Sequence, residues 1–224
     1  MLEGFGPLVR KDLRLEARSG ESTVALVSLS LLILVVMVLA FGPGGARRAE
    51  VAGGALWIAL IFAGTLGSAR ALLAERDNGC IRGLLLSPVE PATIYVAKLA
   101  VALIFMAEAG VAVLLILVLF FNLEFGAGLL RLIPIFFLGS LGLAALCTLL
   151  ATVSGRVRAG GMLLPILVVP LFAPALIAGS RASAAVLAGQ SLTAVATWLK
   201  VLGAFDVLFV TVGYLLFEHV ILED

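Results

Sequence analysis

Charge is scarce in this sequence. Asp, Glu, Lys and Arg together make up 13% of 224 residues, about half of the roughly 25% that a soluble domain needs to coat its surface. Most of the surface therefore faces something other than water. The net charge is +1, so no strong field points to nucleic acid, and none is expected among the partners. Histidine occurs once, at His219 near the C-terminus. That excludes a two-histidine haem site on this chain alone, and it excludes a protease that sets a His against a Ser inside the bilayer. Cys80 and Cys147 stand in unrelated contexts without metal-ligand spacing, so no disulfide framework or metal site is implied and both read as small apolar side chains. No G-x-x-x-x-G-K-S/T loop is present to cradle ATP, and there is no H-E-x-x-H or C-x-x-C. An enzyme is not expected, nor a metal or cofactor bound by this chain alone.

What the chain has instead is long apolar runs. Apolar residues make up 62% of it and the mean hydropathy is +1.22. A bilayer core takes about 20 mostly apolar residues per helix. The runs divide into six expected spans: 24–41, 53–73, 94–121, 129–153, 161–178 and 201–217. The first run is too long for the core of a cleaved signal peptide, and five more spans follow it. Ser180 to Thr197 holds Arg181, Gln190 and many Ala and Ser, and reads as an outside loop with a short interfacial helix. The chain, 1–224, is thus expected to be one all-α membrane domain: a polytopic bundle of six transmembrane helices.

Basic residues set the orientation. With a cytoplasmic N-terminus, the inside segments hold Arg10, Lys11, Arg14, Arg18, Arg70, Arg76, Arg82, Lys98, Arg156 and Arg158. The outside segments hold Arg47, Arg48, Arg131, Arg181 and Lys200. The positive-inside rule therefore predicts both termini in the cytoplasm. Ahead of the first span, Leu2, Phe5, Leu8, Val9 and Leu13 share one side of a helical wheel, and Arg10, Lys11, Arg14 and Arg18 the other. Such a helix can lie in the headgroup layer with its cations toward anionic lipid. Asp12 and Glu16 interrupt its apolar side.

Three features carry candidate function. The first is the cytoplasmic segment 75–92 after the second span. Its first half is charged (Glu75, Arg76, Asp77, Arg82), and Ile81, Leu84 and Leu85 recur at helical spacing. Pro88 and Pro91 then stop the helix and restart the chain. A short amphipathic helix tethered at both ends suits seating in a groove of a cytoplasmic partner, with Gly79 giving a turn that a side chain would obstruct. The second is the fifth span, where Pro165, Pro170 and Pro174 free backbone carbonyls and bend the helix. Neighbours must re-satisfy that backbone, which places this span inside the bundle. The third is the set of ionisable groups within spans: Arg70, one turn from the cytoplasmic end and placed to snorkel; Asp206, near the outer end and facing water; and Glu108, mid-span with no adjacent cation. Glu108 reads either as a protonated or interhelically bonded carboxyl or as a substrate contact.

At the first two features the sequence resembles the CcmB-type permeases, or haem exporter protein B, of cytochrome c maturation. The likeness is carried by Arg70, Asp77-Asn78-Gly79-Cys80-Ile81, Leu84-Leu85-Leu86-Ser87-Pro88, Ala97-Lys98, and the run from Gly160-Gly161 through Leu164, Ile166-Leu167, Pro170-Leu171 and Pro174. Many exporter permeases share the loop element; the R-x-G-G-x-L-L-x-I-L-x-x-P-L-x-x-P run is more specific. Length, span count and the basic N-terminal helix also agree, so the likeness covers nearly the whole chain; Pro165 is an addition. The resemblance implies an ABC-2-exporter-like fold and a permease that pairs with a separate ATP-binding subunit and a haem-handling membrane protein. It also implies residence in the bacterial inner membrane. ATP use by that complex would support loading or release of a periplasmic haem chaperone, with haem as substrate and ATP on the partner. A homodimer is expected, with Gly64, Ser68, Gly139 and Gly142 letting helices approach closely. The alternatives are an ABC-2-type permease for a drug, lipid or polysaccharide, and a non-transporting membrane scaffold.

Overall fold

A computed structural model describes residues 4–19, 21–42, 48–77, 90–121, 126–154 and 163–222, with the backbone alone at 16–19, 21–23, 25–26, 63–64, 66–77, 127, 153–154, 163–169 and 218–222. Seven helices occur among them: α1 (Phe5–Ser19), α2 (Glu21–Phe41), α3 (Arg48–Asp77), α4 (Pro91–Phe121), α5 (Ala127–Ser154), α6 (Leu163–Leu187) and α7 (Ala196–Leu222). In lipid a backbone must satisfy its own hydrogen bonds, and long Leu/Val/Ala runs do so as helices. Four stretches have the length and composition to cross a bilayer: Pro91–Phe121, Gly128–Thr152, Pro170–Leu187 and Ala196–Phe217. In α2 the apolar stretch is Val27–Phe41.

The helix boundaries follow local chemistry. Pro91 opens α4, where its missing N–H is no loss, and the Glu90 carbonyl accepts from Thr93 (2.9 Å). At the far end of α6, Gly189 adopts φ +91°, and Gln190 N–H donates back to the Ala185 carbonyl (3.0 Å). This left-handed cap closes the helix, as glycine permits. Arg131 of α5 donates to the Gln190 carbonyl (3.2 Å) and fastens the turn that follows.

Helices α3 and α5 form the middle of the bundle. α3 touches α2, α4, α5 and α6, and α5 touches α3, α4, α6 and α7. The core runs through Trp57, Leu60, Met106, Leu117, Ile135, Leu143, Leu146 and Phe217. Its close spacing is set by small residues. A Cβ at Gly139 of α5 or Gly179 of α6 would overlap the Trp57 ring, and one at Gly53 of α3 would sit 2.8 Å from the Ser180 carbonyl oxygen. The outer surface is as apolar as the core: Leu39, Leu119, Leu130 and Val207 are each at least two-thirds exposed. A soluble protein avoids a continuous apolar surface of this kind.

Several expectations need correction. Ser180 to Leu187 continues α6 and is not an outside loop. Its Ala and Ser residues made it look polar, but Ala182, Ser183, Ala184 and Val186 are buried, and small side chains there let α6 approach α3. Pro170 and Pro174 lie within α6 yet are exposed on the outward face. The span packs into the bundle through its opposite side, so the prolines bend it without sitting inside. Gly139 and Gly142 serve contacts within the chain, to Trp57 and to Phe205 and Asp206, not an intermolecular seam.

Candidate functional site

The most heavily built polar feature joins α1 to α4. Leu8 of α1 packs against the core, so α1 turns one side inward, and Asp12 lies on that side, 9% exposed. Lys98, two turns inside α4 and 6% exposed, places its Nζ 2.6 Å from Asp12 Oδ2. Lys11 reaches the other carboxylate oxygen at 3.3 Å. Two charges taken out of water hold only when paired with good geometry, and this pair fixes α1 against the start of α4. The sequence reading treated Asp12 as a flaw in the apolar side of α1. It is the clasp. Outward of it, Arg10, Lys11 and Arg14 border an open hollow of about 720 Å³.

α3 continues as helix through Glu75, Arg76 and Asp77, beyond residue 73, where the apolar run ends. The remaining candidate coupling residues, Gly79, Ile81, Arg82, Leu84, Leu85 and Pro88, lie outside the described residues, as do Cys80 and Gly160-Gly161. Arg70 falls on the α3 backbone and Pro165 on that of α6.

Inside the bundle the candidate residues do not converge. Asp206 was expected to face water near the outer end. Instead α7 begins at Ala196, which puts Asp206 near the middle of the 22-residue stretch Ala196–Phe217. It is 6% exposed, packed against Gly142 of α5, and its Oδ1 has no hydrogen-bond partner among the described residues. Tyr95 of α4 is fully buried and its hydroxyl is likewise without a partner; Gly213 of α7 makes room for it. By contrast, Trp57 donates from Nε1 to Ser183 Oγ (2.9 Å) across α3 and α6. Glu108 is exposed on the outer face of α4. At the end of the bundle remote from α1, Glu50, Arg181, Gln190 and Trp198 line a hollow of about 530 Å³.

Asp12, Trp57, Tyr95 and Ser183 were missed by the sequence reading. For Asp12 a signal existed: an acid on the apolar side of a basic helix asks for a buried cation. For the others no local pattern marks the partner.

The arrangement is a membrane bundle with one end braced by an amphipathic helix and a linker rooted in two central spans. It offers no reaction centre among the described residues. The chain is similar in sequence to known proteins over most of its length. Heme exporter protein B of Bradyrhizobium diazoefficiens is 31% identical over 200 residues, covering 84% of each chain. Heme exporter protein B of Rhodobacter capsulatus is 29% identical over 176 residues, 78% of this chain and 79% of the relative. That of Pseudomonas aeruginosa is 28% identical over 204 residues, 89% of each. The CcmB protein family model matches residues 4–221, and so this multi-pass membrane protein belongs to the CcmB family.

Proposed function

We propose that the chain is the permease subunit of an ABC-type haem exporter that serves c-type cytochrome biogenesis. The observation that carries this reading is the family match across residues 4–221, together with relatives named heme exporter protein B over most of their length. In this reading α2 to α7 are six spans of an ABC-2-exporter-like half in the bacterial inner membrane. α1 lies on the cytoplasmic face and both termini are cytoplasmic. Two copies pair about a twofold axis, since ABC engines close two nucleotide sites between symmetric halves. The chain itself catalyses nothing: ATP is bound and hydrolysed on the partner subunit, and haem is the substrate of the whole complex.

The mechanical part falls to segment 75–92. It leaves α3, which packs on α2, α4, α5 and α6, and enters α4, which packs on α1, α2, α3, α5 and α7 and carries the Asp12–Lys98 clasp. A displacement at this segment therefore reaches the centre of the bundle and α1 together. Ile81, Leu84 and Leu85 supply the apolar contact with the ATP-binding subunit, and Glu75, Arg76, Asp77 and Arg82 set its register. Gly79 and Pro88 shape the turn. The Pro165, Pro170 and Pro174 helix is the span that bends, and release or loading of a haem chaperone beside a haem-handling membrane protein is the output.

Removing the gene from its native host is expected to abolish haem-stained c-type cytochromes, leave b-type spectra intact, and be reversed by the wild-type chain. Normal c-type cytochromes without the gene would overturn the reading.

A further inference from the structure

Helix α4 turns one narrow stripe outward. Ile104, Val111, Leu115 and Leu119 are 42%, 61%, 55% and 78% exposed, spaced at three- and four-residue steps along one helical face. Glu108 lies on the same stripe and is exposed. Its depth can be gauged from the clasp. α1 is an amphipathic helix held at the level of Lys98, which marks the membrane interface on that side. From Lys98 to Glu108 the helix rises about 15 Å at 1.5 Å per residue, half of a hydrocarbon core about 30 Å thick. Glu108 is therefore at the bilayer midplane, on the outside of the chain, among Ile, Val and Leu.

A carboxyl does not stay on lipid at that depth without compensation; ionisable groups in spans face a protein interior or water and find partners. The stripe is thus covered in the working protein. A second copy does not offer the complement. Among the residues whose side chains are described, every cation that is not buried lies toward a helix end or on α1: Arg10, Lys11, Arg14, Arg48, Arg131, Arg181 and Lys200. A twofold pairing across this stripe would also set two Glu108 carboxyls at one depth, where like charges disfavour each other.

We propose that the α4 stripe centred on Glu108 is the docking face for a transmembrane helix of a different membrane protein, one that presents a basic side chain at mid-bilayer depth. Apolar packing along Ile104, Val111, Leu115 and Leu119 provides the contact, and the Glu108 carboxylate sets the register of the incoming helix. The inference rests on the chain spanning a membrane and not on its cargo.

The test is photocrosslinking in intact membranes of the native host, with p-benzoylphenylalanine at Val111 and, as a control face, at Leu208 of α7. Position 111 is expected to give an adduct with another membrane protein whose captured segment is an apolar span holding Lys or Arg; position 208 is not. Glu108→Lys should lower the yield of that adduct roughly tenfold and Glu108→Gln about threefold, with chain abundance unchanged. Exchanging the partner's basic residue for Glu should restore the adduct to Glu108→Lys. Adducts with lipid or a second copy alone, or a heterologous adduct indifferent to both Glu108 substitutions, would overturn the proposal.

Discussion

Where α1 packs on α4 and where α3 packs on α6, buried polar groups have partners: Lys98 with Asp12, and Trp57 with Ser183. Where α7 packs against α4 and α5, Asp206 Oδ1 and the Tyr95 hydroxyl are buried and have no hydrogen-bond partner among the described residues. The difference is one of polar satisfaction. A satisfied network specifies one arrangement. Orphaned groups are uncommon in native interiors and call for a reason. We read the first region as the fixed frame and α7 as the helix whose contacts change during the working cycle.

The comparison can be broken most forcefully at the clasp. Asp12→Ala leaves an uncompensated ammonium in a buried place, and is expected to cost about 3–5 kcal/mol in unfolding of the detergent-solubilised chain. Adding Lys98→Met should recover most of the loss. A single-site cost below about 1 kcal/mol would mean that the pair is wet and the frame is not held there. Next in size is Gly139→Leu, whose side chain must displace the Trp57 ring; overpacking of this kind costs about 1–3 kcal/mol, and Trp57→Phe in the same chain should relieve part of it.

Smaller is Ser183→Ala, which strands the Trp57 N–H and should lower stability by about 1 kcal/mol. Smallest are Asp206→Asn and Tyr95→Phe. Asp206 Oδ1 and the Tyr95 hydroxyl have no hydrogen-bond partner among the described residues, so each change should stay within about 0.5 kcal/mol of wild type. If α7 is the moving helix, Asp206→Asn should still reduce c-type cytochrome output at unchanged abundance. A large stability loss from Asp206→Asn would show that the carboxyl is part of the frame after all.

How much of this was readable in the sequence follows from what lipid demands. A membrane forces long apolar runs, so helix-forming stretches such as 94–121 and 129–153 stand out from composition alone. Pro91 as a helix opener was equally plain. Ser180 to Leu187 was not, because Ser180, Arg181 and Ser183 lower its hydropathy while its Ala and Ser side chains serve as small residues in a tight contact. The Asp12–Lys98 pair joins positions that no helical period connects. Asp206 was misplaced because the start of α7 lies before the most apolar run, which shifted the carboxyl toward the middle of the helix. Outward placement of Pro170 and Pro174, and of Glu108, depends on how the helices turn about their axes, which packing decides and hydropathy does not.

Everything proposed for the working cycle turns on segment 75–92 linking this bundle to an ATP-binding subunit. The most direct measurement is co-purification of that subunit with the chain after Leu84 and Leu85 are both replaced by Asp, alongside haem staining of c-type cytochromes. Apolar docking at these positions is worth roughly 1.5–3 kcal/mol per large side chain, so the ATP-binding subunit should be lost and c-type cytochromes should disappear while the permease still accumulates in the membrane. A double variant that keeps both its partner and its cytochromes would contradict the claim and reduce the segment to a connector between α3 and α4.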